Sequence, residues 1–195
     1  KDDGDRACLL VQLPEALATP TAEHATVADL TKARLRKASE VVRADCPMFS
    51  GDTGFRVFKL DRSNIRAWDP SPADLEAALF EGVEHLREGR TEQDVLYELL
   101  LKLGLDLCVP IEERAIAGKT VHSIGAGALF VCLPSELASE EVEELALGIA
   151  GWRDELHTAG DTTVVFRDSA FADDVAKTNA SAILEQHGIE NVRSL

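Results

Sequence analysis

The stretch Ala128-Leu129-Phe130-Val131-Cys132-Leu133 decides the fold, because an unbroken apolar run of this length predicts a buried strand. A helix capped by Ser139 is expected next, with its end near Arg153, and a buried strand follows from Thr162 to Arg167. A second helix from Ala172 to Gln186 and a short strand from Asn191 to Ser194 complete the unit. A strand, helix, strand, helix, strand order with right-handed crossovers builds a parallel sheet with helices on its faces.

Working outward toward the N-terminus, two further strand-like runs precede this unit. They cover Arg114 to Ile116 and Thr120 to Ile124. Gly118-Lys119 lies between these two runs, and Gly125-Ala126-Gly127 lies between the second run and Ala128. Short strands that are joined by glycine turns predict an antiparallel meander. The expected fold class is therefore α/β, with a mixed sheet that ends in a parallel βαβαβ unit.

Two helices are expected before the meander. Ser71, Pro72 and Asp74 form a strong helix start, and that helix is expected to stop at Gly89 after about Glu88. Thr91 with Asp94 opens a second helix, whose wide leucine stripe ends at Gly104. Together they predict a helical hairpin.

The N-terminal part predicts a strand, a helix and a strand. Ala7 to Leu13 is an apolar run closed by Pro14 and predicts a buried strand. Ala25 to Ala44 predicts a helix. Gly54 to Leu60 alternates polar and apolar residues, which is typical of a half-buried strand.

The charge of the 195-residue chain is uneven. The formal net charge is −15, yet residues 1–69 hold 11 Lys and Arg against 11 Asp and Glu, whereas residues 70–195 hold 9 against 24. We therefore expect two domains, 1–69 and 70–195, and the second repels phosphate too strongly to be a nucleic-acid groove. A basic cluster in the first domain, formed by Lys32, Arg34, Arg36 and Lys37, is the candidate nucleic-acid contact, although a solvated helix face explains it as well.

No apolar run approaches the roughly 20 residues of a membrane helix, and the first five residues lack the layout of a signal peptide. These features favour a cytosolic protein without a membrane partner. The four cysteines, Cys8, Cys46, Cys108 and Cys132, lie far apart, which favours reduced thiols over zinc ligands or disulfides, and Cys8 and Cys132 lie in apolar runs typical of a core.

Two glycine motifs fall short of a nucleotide site. Ala117-Gly118-Lys119-Thr120 ends like a phosphate-binding loop, but Glu113 stands where the first glycine belongs and a strand follows it, so a hairpin turn is favoured. Gly125-Ala126-Gly127 has Phe130 in place of the third glycine of a dinucleotide fingerprint and also predicts a turn.

Three carboxylates follow the strand that ends at Arg167. Asp168, Asp173 and Asp174 are placed where the rim of a parallel sheet can hold magnesium. The alternative is that Asp168 or Ser169 caps the next helix and that the later pair complements its dipole, and this alternative is favoured.

Several strings resemble one family. Arg6 to Glu15 and Thr26 to Arg36 resemble the strand and helix that follow the cofactor-binding glycine motif of adenine-specific DNA methyltransferases, and more closely the modification subunit of type III restriction-modification systems. The likeness continues through Gly54 to Asp61, Gly89 to Val95, Leu105 to Ile111, Val164 to Phe171 and Asp173 to Asn179.

The resemblance implies a C-terminal portion of such an enzyme. In the family a glycine-rich loop holds S-adenosylmethionine and an Asp-Pro-Pro-Tyr type motif grips the flipped adenine. Asp69-Pro70-Ser71-Pro72 has only the beginning of the second motif, and the loop is expected ahead of Lys1. No catalytic residue is therefore assigned.

The family's ribose-binding acid corresponds to the position of Gln12, with Glu15 beside it, and these two residues are the candidate cofactor contacts. A strand-end glutamine that bonds to the backbone is an equally good explanation of Gln12. The partners implied by the resemblance are DNA through the complete enzyme, a second modification subunit and the restriction subunit. The competing hypothesis is an independent magnesium-dependent phosphotransfer or nuclease-like enzyme that uses Asp168, Asp173 and Asp174.

Overall fold

A computed structural model of the chain describes residues 8–66 and 86–195. The chain divides into two compact units, an N-terminal unit of residues 1–59 and a C-terminal unit of residues 60–195. The domain boundary expected between residues 69 and 70 lies outside the described residues and stays a prediction.

The C-terminal unit is built on a five-stranded mixed sheet with the order β1-β2-β3-β4-β5. The strands are β1 (Ile111–Ile116), β2 (Lys119–Ile124), β3 (Leu129–Cys132), β4 (Thr163–Phe166) and β5 (Asn191–Ser194). Strands β1, β2 and β3 pair antiparallel, while β3, β4 and β5 pair parallel. The expected α/β class, the meander and the parallel βαβαβ unit are confirmed.

Both glycine motifs are turns. Ile116 pairs with Lys119, so Ala117 and Gly118 alone close the first hairpin, and both have a positive φ, at 48° and 71°. This backbone follows the right-handed twist of the strands. Lys119 forms an ion pair with Glu141 at 2.9 Å. It lies in a strand, and its charge is offset by a carboxylate, unlike the lysine of a phosphate-binding loop.

Three described helices belong to this unit, namely α2 (Glu92–Lys102), α3 (Ser139–Leu156) and α4 (Asp174–Gln186). Thr91 caps α2 in a reciprocal pair of hydrogen bonds with Asp94, as expected. The expected cap of α3 is wrong. Ser139 is already its first residue, and Ala138 occupies the N-cap position. The backbone N–H of Ala138 donates to the Glu141 carboxylate at 3.0 Å.

Two hydrophobic cores lie on opposite faces of the sheet. Alternate β3 residues point to opposite faces: Phe130 and Cys132 join the core with α3 and α4, whereas Leu129 and Val131 join the core with α2. The sheet is therefore covered on both sides, which explains why β3 and β4 have nearly uniform apolar sequences.

Helix α3 approaches β1 closely at one glycine. A Cβ atom added to Gly148 would overlap the Cγ2 atom of Ile116, whereas one added to Gly151 would meet no atom within 4 Å. The absence of a side chain at Gly148 thus sets the distance between this helix and the edge strand.

The N-terminal unit has one described helix, α1 (Val27–Asp45), which starts with a capping box between Thr26 and Asp29. The expected helix is confirmed. The two expected strands are wrong as far as the described residues show, since residues 8–13 and 54–60 have no strand, and Leu9 and Val11 are 90% and 89% exposed. Their apolar patterns are those of strands, but a strand forms only where a second strand accepts its hydrogen bonds.

The first helix of the expected hairpin, Ser71 to Glu88, lies mostly outside the described residues. Its expected end is wrong, because Leu86 forms an antiparallel bridge with Ile65 and residues 86–88 are not helical. None of the helices in residues 8–66 and 86–195 has both the length and the apolar character that a membrane crossing requires.

Candidate functional site

Two short segments of the C-terminal unit lie side by side. Residues 61–66 and 86–90 are joined by the Ile65–Leu86 bridge and by a 2.8 Å hydrogen bond from the Arg87 backbone N–H to the Asn64 carbonyl. The Arg87 Nε donates to the Ser63 carbonyl at 2.9 Å. These bonds fix both segments against each other without a regular sheet.

Helix α2 holds this pair of segments through one carboxylate. Glu98 accepts hydrogen bonds from the Ser63 hydroxyl at 2.5 Å and from the Asn64 backbone N–H at 2.6 Å. The Asn64 side chain is buried and donates to the Asp94 carbonyl at 2.9 Å. Partial desolvation opposes the charge on Glu98, but the bonds from Ser63, Asn64 and Lys102 outweigh it and lower the pKa of Glu98.

The two segments enclose an open cavity of about 480 Å³ lined by four arginines, a glutamate and a glycine. We call it the arginine cavity, and its lining residues are Arg62, Arg66, Arg87, Glu88, Gly89 and Arg90. Among these described lining residues, four carry a positive charge and one, Glu88, carries a negative charge. Such a lining favours anions over cations, because guanidinium groups carry a permanent charge and donate in a planar fork that fits phosphate and carboxylate oxygens.

The four arginines differ in what they already bind. Arg90 forms an ion pair with Asp61 at 2.8 Å. The hydrogen bond from the Arg62 backbone N–H and, after it, the contact with Arg90 lower the pKa of Asp61. Arg87 supports the wall through Ser63. Within residues 8–66 and 86–195, no carboxylate lies within ion-pair distance of the Arg62 or Arg66 side chain.

The basic cluster expected from the sequence lies on α1. Lys32 pairs with Asp29 at 2.7 Å and Lys37 with Glu40 at 3.2 Å, while Arg36 lies over the Phe55 ring at 5.9 Å. Arg34 is exposed. Two of the four charges are thus offset within the helix, which is typical of a solvated helix face, and a role in binding DNA stays a prediction.

The candidate cofactor residues, Gln12 and Glu15, lie in a segment without a regular strand. Gln12 and Glu15 are both exposed, and the Gln12 side-chain amide donates to the Leu13 carbonyl at 3.1 Å. A ribose site at the end of a strand requires the strand, and residues 8–13 do not form one. A contact of Gln12 or Glu15 with S-adenosylmethionine stays a prediction.

The three carboxylates after β4 have separate partners. Asp168 forms an ion pair with Lys177, and Asp173 caps α4 by accepting a 2.7 Å hydrogen bond from the Ala176 backbone N–H. Asp174 lies in the first turn of the helix. The cap is thus Asp173, and the expected cap at Asp168 or Ser169 is wrong, since those two residues lie in a short 3₁₀ helix. Among the described residues no group of three metal-binding side chains comes together.

The cysteines divide into one buried and three exposed thiols. Cys132 is buried in β3, and burial raises its pKa to about 12. Cys8, Cys46 and Cys108 are exposed, and all four are free. The expected core position is therefore confirmed for Cys132 and wrong for Cys8.

The arginine cavity was not expected from the sequence. Its cations occur as two spaced pairs, Arg62 with Arg66 at the end of the neutral part of the sequence and Arg87 with Arg90 in the acidic part. The spacing is a weak signal in itself. The Ile65–Leu86 bridge and the hydrogen bonds from Arg87 bring the pairs together, and long-range pairing of single residues leaves no periodic pattern in a sequence.

Comparison of the sequence with models of protein families and with curated proteins gives no match.

Proposed function

We propose that the chain acts as the C-terminal portion of the modification subunit of a type III restriction-modification system, and that it serves subunit assembly in an adenine-specific DNA methyltransferase. The strings that resemble this family support the proposal, and one structural observation carries it. No residue from 8 to 60 is buried, although this range contains many large apolar side chains.

The exposed apolar side chains of this range need a partner surface. Those with the greatest exposure are Leu9, Val11, Leu13, Met48 and Leu60. Burying a side chain of this size contributes about 1.5–3 kcal/mol, so leaving several of them in water is costly. A strand, helix and strand that belong to the sheet of a methyltransferase core explain both their apolar patterns and their exposure in this chain.

The C-terminal unit has its own cores and carries the whole net charge of the chain, since residues 60–195 hold 11 Lys and Arg against 26 Asp and Glu. A surface of this charge suits a protein partner better than the backbone of duplex DNA. We assign it to contact with a second modification subunit or the restriction subunit, while DNA is bound by the complete enzyme.

The chain alone is proposed to lack methyl transfer, because its sequence has only the beginning of the adenine-binding motif, at Asp69-Pro70-Ser71-Pro72. S-Adenosylmethionine then binds to the complete enzyme. Calorimetry with S-adenosylmethionine and transfer of labelled methyl groups to DNA should both give no signal with the purified chain.

Hydrogen exchange tests the assembly role directly. The amides of residues 8–13 should exchange rapidly in the isolated chain and become protected when it is expressed together with the rest of a type III modification subunit. The amides of β3 are the internal control and should be protected in both samples. Strong protection of residues 8–13 in the isolated chain, or methyl transfer by it unaided, would contradict the proposal.

A further inference from the structure

We propose that the arginine cavity is a binding site for the phosphate group of a small phosphorylated molecule. The site lies within the C-terminal unit and does not depend on the proposed function, because it rests on residues 61–66 and 86–90, on Glu98 and on the charge of this unit.

The placement of charge is the first step. The C-terminal unit has only 11 Lys and Arg residues, and four of them line this one cavity. Like charges that converge repel one another by about 1 kcal/mol or more per close pair, even near water. In a unit with a formal charge of −15, four arginines around one cavity form a local concentration of positive charge.

Preorganisation is the second step. The cavity wall is held by the bonds from Ser63 and Asn64 to Glu98, by the bond from Arg87 to Ser63 and by the ion pair between Arg90 and Asp61. Two arginines thus belong to the wall, whereas no side-chain hydrogen bond or ion pair joins Arg62 or Arg66 to another of the residues 8–66 and 86–195. A fixed wall reduces the conformational entropy that is lost when a ligand binds.

The chemistry of the ligand follows from the donors and the surroundings. Guanidinium groups that line one cavity fit the oxygens of a phosphate group, which accept hydrogen bonds on all sides. A long duplex would extend over the acidic surface around the cavity, where its phosphates are repelled. A compact phosphorylated molecule avoids this repulsion, and a volume of about 480 Å³ leaves room for more than one phosphate group.

Titration calorimetry with inorganic pyrophosphate and the full chain tests the proposal. Saturable binding with one site per chain is expected, and it should weaken as salt rises. The double variant Arg62→Gln/Arg66→Gln should bind roughly tenfold more weakly or worse, since each charged hydrogen bond is worth more than 1 kcal/mol. Arg193→Gln, which removes an exposed arginine of β5 outside the cavity, is the matched control and should bind as the parent chain does.

Thermal unfolding of each variant separates lost binding from lost folding, and Arg62 and Arg66 are chosen because the wall does not depend on their side chains. A competition with a short duplex identifies the source of the phosphate. Displacement of pyrophosphate by the duplex at lower concentration would overturn the small-molecule assignment. Absence of pyrophosphate binding, or equal binding by the folded double variant, would overturn the site itself.

Discussion

The carboxylate of Glu98 accepts a 2.5 Å hydrogen bond from the hydroxyl of Ser63, a residue 35 positions earlier in the chain. The same carboxylate accepts from the backbone N–H of Asn64. One side chain of α2 therefore fixes the segment that carries Arg62 and Arg66, and the stability of the arginine cavity depends on a residue that does not line it.

Glu98→Gln should lower the free energy of unfolding by about 1–3 kcal/mol at pH 7, because an amide has one oxygen where two donors need acceptors. The pKa of Glu98 is lowered in the folded chain, so its contribution is present above the unfolded value near 4.5 and is lost as the pH falls through the folded value. Urea unfolding of both proteins from pH 7 to pH 3 should show the difference shrinking in acid.

Glu144→Gln, an exposed position in the middle of α3, is the control and should change stability by less than about 0.5 kcal/mol. A difference between Glu98→Gln and the parent that stays constant down to pH 3 would show that the charge of Glu98 is not the cause.

Gly148→Ala should destabilise the chain by about 1–2 kcal/mol, because the new methyl group overlaps Ile116 and overpacking outweighs the gain in helix propensity. Gly151→Ala in the same helix should stabilise it by roughly 0.5–1 kcal/mol, since nothing lies near that position. Chemical denaturation of both variants measures the contrast.

A double variant with Ile116→Ala tests the cause of the Gly148 effect. Removal of the overlapping methyl groups should make the added alanine at 148 less costly than it is in the parent chain. Additive losses would mean that the two residues are not coupled.

The Cys132 thiol should resist a disulfide reagent at pH 8 while Cys8, Cys46 and Cys108 react. Burial holds the pKa of Cys132 at about 12, so its thiolate is scarce and also inaccessible. Mass spectrometry should count three modified residues in the native chain and four after denaturation. Rapid native modification of Cys132 would show that β3 is less well covered than the structure has it.

Asp173→Ala should lower the free energy of unfolding by about 1 kcal/mol through loss of the α4 cap. Asp174→Ala removes only a favourable charge in the first turn and should lower it by roughly 0.3–1 kcal/mol.

Thermal unfolding with and without magnesium should give the same midpoint. A magnesium-dependent rise that Asp168→Ala abolishes would instead support the magnesium-enzyme hypothesis.

The sheet could be predicted because its signals are local. The apolar run from Ala128 to Leu133 and the turn at Ala117-Gly118 specify their own conformation, and each is confirmed. The run from Ala7 to Leu13 has the same apolar character, yet residues 8–13 form no strand, because pairing depends on a neighbour that a periodic pattern does not reveal. The arginine cavity could not be predicted for a related reason, since the bridge between Ile65 and Leu86 joins segments that are distant in the sequence.

The change from antiparallel to parallel pairing at β3 also determines the order in which the sheet is expected to form. Two tight turns join β1, β2 and β3, whereas α3 must fold and cross before β4 can reach β3. Closing a short loop costs less entropy than closing a long one, so the meander should appear first, while the ribosome is still making the rest of the chain. Strands β4 and β5 would then add to a template that already exists.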